Sequence, residues 1–168
     1  PETIKRHGGQ ALRSRVGHSY IKQLMAETDA AFAGEHSGHY YFRDNYRADS
    51  GLIAALLVMQ EMCDKGISLS SLRKGVGPYS STGEINFRVN NPTDVIERIS
   101  DTFSDHEHDY LDGLTVNGDK WWFNLRPSNT EPLLRLNLEA DNAVTMEREF
   151  MKVRACLEQF VESEGKVD

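Results

Sequence analysis

The sequence predicts an α/β unit over residues 1–75 followed by an α+β unit over residues 76–168, the second built on an antiparallel sheet with helices on one face. Three observations carry this expectation. A helical pattern from Leu52 to Cys63 stops at Gly66. A composition break at Gly75, Gly77 and Pro78 separates it from the remainder of the chain. Beyond the break, strand-like patterns recur around one helix before a last segment with clear helical spacing.

Taken in order, residues 1 to about 27 open with Gly8-Gly9 and a basic stretch, then place Ile21, Leu24 and Met25 on one face, which reads as a short helix. Ala30-Ala31-Phe32-Ala33 is a small apolar run halted at Gly34, expected as a buried strand that ends in a polar loop from Glu35 to Asp49. Asp49 and Ser50 are candidate N-caps for a helix carrying Leu52, Ile53, Leu56, Leu57 and Cys63, with Gly66 as its stop. Ser68 to Gly75 reads as one further short helical turn.

In the second unit, Ile85, Phe87 and Val89 alternate like a half-buried strand, and Asn91-Pro92 is a helix entry ahead of Val95, Ile96, Ile99 and Phe103. Leu114-Thr115-Val116 and Trp121 to Leu125 flank Asn117-Gly118-Asp119, the kind of short connection that makes a hairpin. Leu134, Leu136 and Leu138 alternate with Arg135 and Asn137. Met146, Phe150, Val153, Leu157 and Phe160 then step by four and three to a helix expected to end at Gly165. The order is β-α-β-β-β-α, with no internal repeat.

Composition narrows the function. With 39% apolar and 27% charged residues in 168, the chain is expected to be globular. No apolar run approaches the roughly 20 residues that span a bilayer, and the first residues have no signal-peptide architecture, so no membrane role and a cytoplasmic location are expected. A chain that starts at Pro1 is expected to be a processed product or an excised piece. Cys63 and Cys156 fall within helical patterns and are expected as buried thiols in a reducing compartment. The net charge of −7 and the lack of a basic stripe interleaved with aromatics argue against nucleic acid. Any bound anion must be held by a few well-placed donors.

Three stretches offer such donors. Arg126-Pro127-Ser128-Asn129-Thr130-Glu131-Pro132 is a hydrophilic loop stiffened by two prolines. There Arg126 can make a two-pronged, charge-assisted contact with a phosphate, and Ser128, Asn129 and Thr130 can complete a cradle. An ordinary turn satisfies the same composition. Gly34-Glu35-His36-Ser37-Gly38-His39 packs a carboxylate, a hydroxyl and two imidazoles between glycines, a set able to grip sugar hydroxyls. A metal site joining His36 and His39 to His106 or His108 is the competing reading, without a matching zinc spacing; solvated surface histidines are another. In Arg15-Val16-Gly17-His18-Ser19, His18 opens a helix whose first N–H groups favour an anion, and its ring can shuttle a proton. Helix capping by His18 and Ser19 is the alternative. Nucleophile-elbow, Walker and dinucleotide-binding glycine patterns are missing from the sequence.

The ordered trio Val16-Gly17-His18-Ser19, Gly34 to His39 and Arg126 to Pro132 resembles the phosphomannomutase/phosphoglucomutase branch of the α-D-phosphohexomutases. The resemblance runs over essentially the whole chain, including Tyr40-Tyr41-Phe42-Arg43-Asp44 and Trp121 to Leu125. It implies a partial α/β third domain over residues 1–75 and a complete fourth domain over 76–168 that swings to close on substrate. It further implies that Glu35, Ser37 and His39 contact sugar hydroxyls, that Arg126, Ser128, Asn129 and Thr130 hold the phosphate not being transferred, and that His18 lies near the reacting hydroxyl.

The family's Thr-Ala-Ser-His-Asn-Pro type serine loop and Asp-Gly-Asp-Gly-Asp-Arg type magnesium loop are absent from this sequence. His36 stands where many relatives have Met, and Arg15-Val16 where many have Lys-Thr. The resemblance thus implies a magnesium-dependent parent acting on hexose phosphates, whose N-terminal domains are this chain's partners, and a fragment that is inactive alone and binds no metal itself. A phosphoglucosamine mutase fragment and a free-standing sugar-phosphate-binding module are the alternative readings.

Overall fold

The computed structural model describes residues 1–74, 77, 79–128 and 131–160. The chain divides into two compact units, Pro1–Gly77 and Pro78–Asp168.

The first unit begins with α1 (Glu2–Arg6) and α2 (His18–Thr28). After them comes a three-stranded antiparallel sheet, in the order β1 (Phe32–Gly34), β2 (Tyr40–Phe42), β3 (Ala48–Asp49). The predicted α2 forms where the apolar spacing placed it. Its Ile21 and Met25 are buried with Tyr41 of β2, and Ala30 and Ala33 pack against them. This is a core of three buried side chains, too small to cover every apolar surface of the unit.

Two expectations need correction here. The Ala30–Ala33 run does not form a buried strand, because β1 covers Phe32–Gly34 and Phe32 is half exposed, stacked on the Tyr40 ring and tilted against Phe42. Nor is Glu35–Asp49 a loop throughout. It folds into the β1–β2 turn, β2, a single 3-10 turn at Arg43–Asn45 and β3. Three-residue strands are too short to show alternation, which is why the sequence pattern concealed them.

Next comes α3 (Gly51–Lys65), capped by the Ser50 side chain, which accepts from the Ile53 N–H, and closed by Gly66 in the left-handed conformation. The short α4 (Leu69–Lys74) completes the unit's helices. Although α3 carries three leucines, none of its residues is buried, and Leu52, Leu56, Leu57 and Met59 are exposed. Cys63 is exposed too, which corrects the expectation of a buried thiol; Cys156 is partly buried, and both are unpaired. The error has one cause: helical periodicity reveals an apolar face and not what lies against it.

The second unit is an antiparallel five-stranded sheet with two helices on one face. Its elements are β4 (Ser80–Arg88), α5 (Pro92–Thr102), β5 (Glu107–Asp109), β6 (Leu114–Asn117), β7 (Trp121–Pro127), β8 (Leu133–Ala140) and α6 (Ala143–Leu157). The order across the sheet is β4-β8-β7-β6-β5. One strand exceeds the β-α-β-β-β-α expectation: β5, whose Glu-His-Asp sequence has no apolar residue to signal it and which pairs along the edge with β6. The last helix ends earlier than predicted, at Leu157 with Glu158 as its C-cap, and not near Gly165, which lies outside the described residues.

Alternation sorts this sheet into two faces. Phe87, Phe123, Leu125, Leu134, Leu136, Leu138, Leu114 and Val116 join one core with Val95 and Ile99 of α5 and Val153 and Leu157 of α6, and register puts Ile85 on the same face, opposite Leu136. Register pairs Leu125 with Leu136 and Phe123 with Leu138, so each β7 apolar residue faces one on β8. The other face carries Glu84, Asn86, Thr115, Asn124, Arg126, Arg135 and Asn137. Arg126, the first of the phosphate-loop candidates, therefore stands at the end of the polar face, on a strand that owns part of the core. The α5 entry is capped by Asn91, as the sequence predicts, and the structure adds an Asn142 cap for α6.

Candidate functional site

The candidate residues fall into two groups, one in each unit. In the first unit, β1 and β2 form a hairpin with Gly34 opposite Tyr40. The turn between them is closed by the Glu35 N–H donating to the His39 carbonyl at 2.9 Å and by the Gly38 N–H donating to the Glu35 carbonyl at 3.0 Å. Gly38 adopts φ +85°, which a side chain would resist. The hairpin brings Glu35, Ser37 and His39 to one tight bend. Ser37 is exposed at its tip beside exposed His36, and His39 is largely exposed at its base.

Glu35 is the anchored member. One of its oxygens accepts the Gly17 N–H at 3.1 Å and the other accepts the hydroxyl of buried Tyr41 in a short hydrogen bond. A carboxylate has about four acceptor positions. Glu35 can therefore still take sugar hydroxyls while it ties the turn to the start of α2. Burial, followed by the Glu35 carboxylate, pushes the Tyr41 phenol far above its ordinary range, so it stays protonated and keeps donating. Gly17 is the N-cap of α2 without a side-chain cap, so His18 and Ser19 do not cap the helix and His18 stands exposed as its first residue. The structure thus brings the Gly17–His18 segment and the Glu35 turn together.

His39 has a partner that the sequence did not reveal. Its Nδ1 lies 2.7 Å from Asp49 Oδ2, while Asp49 Oδ1 accepts the Tyr40 N–H at 2.8 Å. Of the two N-cap candidates for α3, Ser50 takes the cap, and Asp49 turns back to the hairpin. The hydrogen bond and charge of Asp49 raise the His39 ring above its ordinary value, and the same contact lowers Asp49.

In the second unit, Arg126 ends the polar face of β7 and sits opposite Arg135 of β8. Arg126 Nη2 lies 3.2 Å from Glu84 Oε2, and Arg135 Nη1 lies 3.5 Å from Glu84 Oε1. Arg135 Nη2 also donates to Ser128 Oγ at 3.4 Å. The loop start is fixed by the Ser128 N–H donating to the Leu133 carbonyl at 2.8 Å. Asn129 and Thr130 lie outside the described residues.

Gly113 supports this corner from below. With φ +72°, it lies so close to the backbone of Leu125 and Arg126 that an added Cβ would stand 2.8 Å from Arg126 Cα. Arg135 and Glu84 escaped the sequence reading because each looked like the polar member of an alternating strand. The one available signal was the facing register of two arginines, and that requires the strand pairing.

The histidines of the competing metal reading are divided between the two units, His36 and His39 in the first and His106 and His108 in the second. His106 pairs with Asp105 and packs its ring on Trp121; His108 bonds the Phe103 carbonyl, Ser100 and Tyr110. Among the described residues no group of three or more His, Cys, Asp or Glu is arranged to hold a metal ion, so they do not fit the magnesium that the resemblance implies for a parent enzyme. No described helix is long and apolar enough to cross a membrane.

The description "Phosphoglucomutase/phosphomannomutase, alpha/beta/alpha domain III" matches residues 1–79, and "Phosphoglucomutase/phosphomannomutase, C-terminal domain" matches residues 84–155. The chain belongs to this family. It is 47% identical over 154 residues to the phosphomannomutase of Methanocaldococcus jannaschii, which takes in 92% of this chain and 34% of that protein. It is 43% identical over 150 residues to a phosphomannomutase of Escherichia coli, covering 85% of this chain and 32% of that protein. Among solved structures, a phosphoglucomutase/phosphomannomutase family protein from Burkholderia thailandensis superposes with a TM-score of 0.78 at 28% identity, over 94% of this chain and 34% of that one. The chain therefore spans about a third of the length of these relatives. It is a C-terminal part of a phosphohexomutase-family protein, and its two units are of the types expected, α/β and then α+β.

Proposed function

We propose that this chain is the sugar- and phosphate-recognising C-terminal part of a cytoplasmic phosphomannomutase/phosphoglucomutase that interconverts mannose or glucose 6-phosphate and 1-phosphate. The observation that carries the reading is the convergence of Arg126 and Arg135 on one carboxylate, with Ser128 alongside. Two guanidinium forks that both reach the oxygens of Glu84 can grip the oxygens of a phosphate monoester in the same way. Asn129 and Thr130 would complete the cradle.

In the parent, a phosphoserine outside this sequence passes its phosphoryl group to the free hydroxyl of the hexose phosphate. Serine is released and a bisphosphate forms. After that intermediate reorients, its other phosphate returns to the serine, leaving the isomeric monophosphate. The residues of this chain bind and orient. Arg126, Arg135 and Ser128 hold the phosphate that is not moving, while Glu35, Ser37 and His39 read the sugar hydroxyls in both orientations. His18, at the exposed start of α2, would transfer a proton at the reacting hydroxyl. Such positioning and electrostatic clamping carry most of the rate in phosphoryl transfer. Magnesium would be held in the parent's other domains, where it supplies charge neutralisation; this chain alone is then inactive.

The test is calorimetric titration of the chain with mannose 1-phosphate and glucose 1-phosphate beside a mutase assay of the same sample. Phosphate-dependent binding without turnover is expected, and Arg126→Ala should weaken it by about tenfold or more. Turnover by the chain would overturn the account of a missing serine. Undiminished affinity in Arg126→Ala would overturn the phosphate assignment.

A further inference from the structure

The β2–β3 connection is built at a conformational cost. Tyr46 and Arg47 are consecutive non-glycine residues in the left-handed region, at φ +56° and +54°. They turn the chain sharply enough for the Arg47 N–H to reach the Phe42 carbonyl at 3.0 Å, and the strand that returns pairs Asp49 with Tyr41. Asp49 thereby lies beside the base of the sugar-loop hairpin. Its two oxygens divide the work: Oδ1 accepts the Tyr40 N–H and fixes the carboxylate to the strand, leaving Oδ2 aimed at His39 Nδ1.

A carboxylate oxygen at 2.7 Å can only accept, so Nδ1 must carry a proton. The neutral ring is then the Nδ1–H tautomer, with the lone pair on Nε2. We propose that Asp49 is a positioning residue for the sugar site, holding the His39 ring in the one tautomer and orientation that presents Nε2 as an acceptor to a sugar hydroxyl. The inference rests on the sugar-binding reading of the Glu35–His39 turn. A surface histidine ordinarily exchanges between tautomers, and only one of these leaves Nε2 an acceptor. Fixing the ring before the ligand arrives removes that cost, as a carboxylate behind a working imidazole does elsewhere.

The charged groups around the pair support the arrangement. Asp49 and then Glu35 favour the protonated ring, while Lys22 of α2 helps to keep Asp49 ionised. The protonated ring also donates from Nδ1 to Asp49, so the orientation persists across the titration and only the role of Nε2 changes, from acceptor to donor.

The experiment uses the 168-residue chain and its Asp49→Asn and His39→Ala variants. Long-range ¹H–¹⁵N correlation reads the tautomer of His39, and titration with mannose 1-phosphate reads binding. Asparagine keeps an acceptor for the Tyr40 N–H but loses the charge that fixes the ring. In the wild type the neutral His39 should be the Nδ1–H tautomer. In Asp49→Asn it should shift towards Nε2–H and titrate at lower pH, and affinity should fall about tenfold, close to the loss in His39→Ala. A wild-type ring protonated at Nε2 would overturn the proposal without any variant. Loss of binding in His39→Ala with none in Asp49→Asn would overturn it while leaving the sugar-site reading intact. Full binding by both variants would remove that reading and the proposal together.

Discussion

The two units solve the same problem, holding a small polar loop in place, with different means. In the second unit the phosphate loop continues strands whose inner face is an apolar core of thirteen buried residues among those described. The guanidiniums of Arg126 and Arg135 stand on the other face of those strands, so their spacing is set by sheet register. In the first unit the buried core is Ile21, Met25 and Tyr41. There the sugar loop is shaped by single hydrogen bonds: Gly17 and Tyr41 to Glu35, and Asp49 to His39 and Tyr40. The proposed phosphate grip is thus a product of packing, and the proposed sugar grip a product of polar bonds around a thin core.

The packed unit offers the largest effect. Phe123 is fully buried and meets Phe103 and Trp121 edge-on or stacked, so Phe123→Ala should cost about 3–5 kcal/mol. Both tryptophans of the chain are in β7, at positions 121 and 122, so urea unfolding followed by tryptophan fluorescence reports on this unit. A loss below about 1 kcal/mol would show that the sheet face is not the apolar core described.

Gly113→Ala links the core to the site. A methyl group there collides with the Leu125 carbonyl and the Arg126 backbone, at a φ that already disfavours alanine. A loss of about 2–4 kcal/mol is expected, with weaker phosphate binding in the same sample. Unchanged affinity at reduced stability would separate the placing of Arg126 from the backbone beneath it.

In the thin unit the matching test is Tyr41→Phe, which keeps the ring in the core and removes the donor to Glu35. A hydrogen bond to a charged group is worth about 1.5–3 kcal/mol. Stability should fall by an amount near the lower end of that range, since Glu35 is only half-buried and can rehydrate, and sugar-phosphate affinity should fall with it. Loss of affinity is the sharper readout, because a purely structural tyrosine would leave it alone.

Acid separates the units in another way. Burial alone would push the Glu149 carboxyl of α6 up, but hydrogen bonds from Lys152 and Arg148 outweigh it and hold the group below the ordinary carboxylate range. A depressed folded-state value means that Glu149 contributes its stabilisation above the unfolded value of about 4.3. That contribution is lost as pH falls through the lower, folded value. Glu149→Gln should flatten this acid limb of the second unit's unfolding midpoint; an unchanged limb would assign it to other carboxylates.

The same contrast explains what could be read in advance. The strands at 85–89, 121–125 and 134–138, the α5 cap and the hairpin at Asn117–Asp119 were legible because a two-faced sheet over a core writes its burial into alternation. The edge strand β5 was not, since Glu107, His108 and Asp109 bury no apolar face. At the candidate sites, the loops and their polar residue types were legible as motifs. Their supports were not, because Asp49, Glu84 and Arg135 come from other strands and reach the loops only through pairing registers that local sequence does not encode.

The smallest expected effect discriminates best between the units. Leu→Ala is one chemical change, yet its cost depends on how much of the side chain lies out of water. At Leu136, which has no exposed surface, it should cost about 2–5 kcal/mol. At Leu52 of α3, which is 71% exposed, it should stay within about 0.5 kcal/mol, and alanine's higher helix propensity offsets part of that. Differential denaturation of the two variants measures the gap directly. If Leu52→Ala costs several kcal/mol, the leucine-rich face of α3 is covered in solution and the first unit is stabilised by packing after all. If it costs almost nothing, the helix contributes to the sugar site only through Ser50 and the strand that precedes it. The stability of that site then rests on the hydrogen bonds of Glu35 and Asp49.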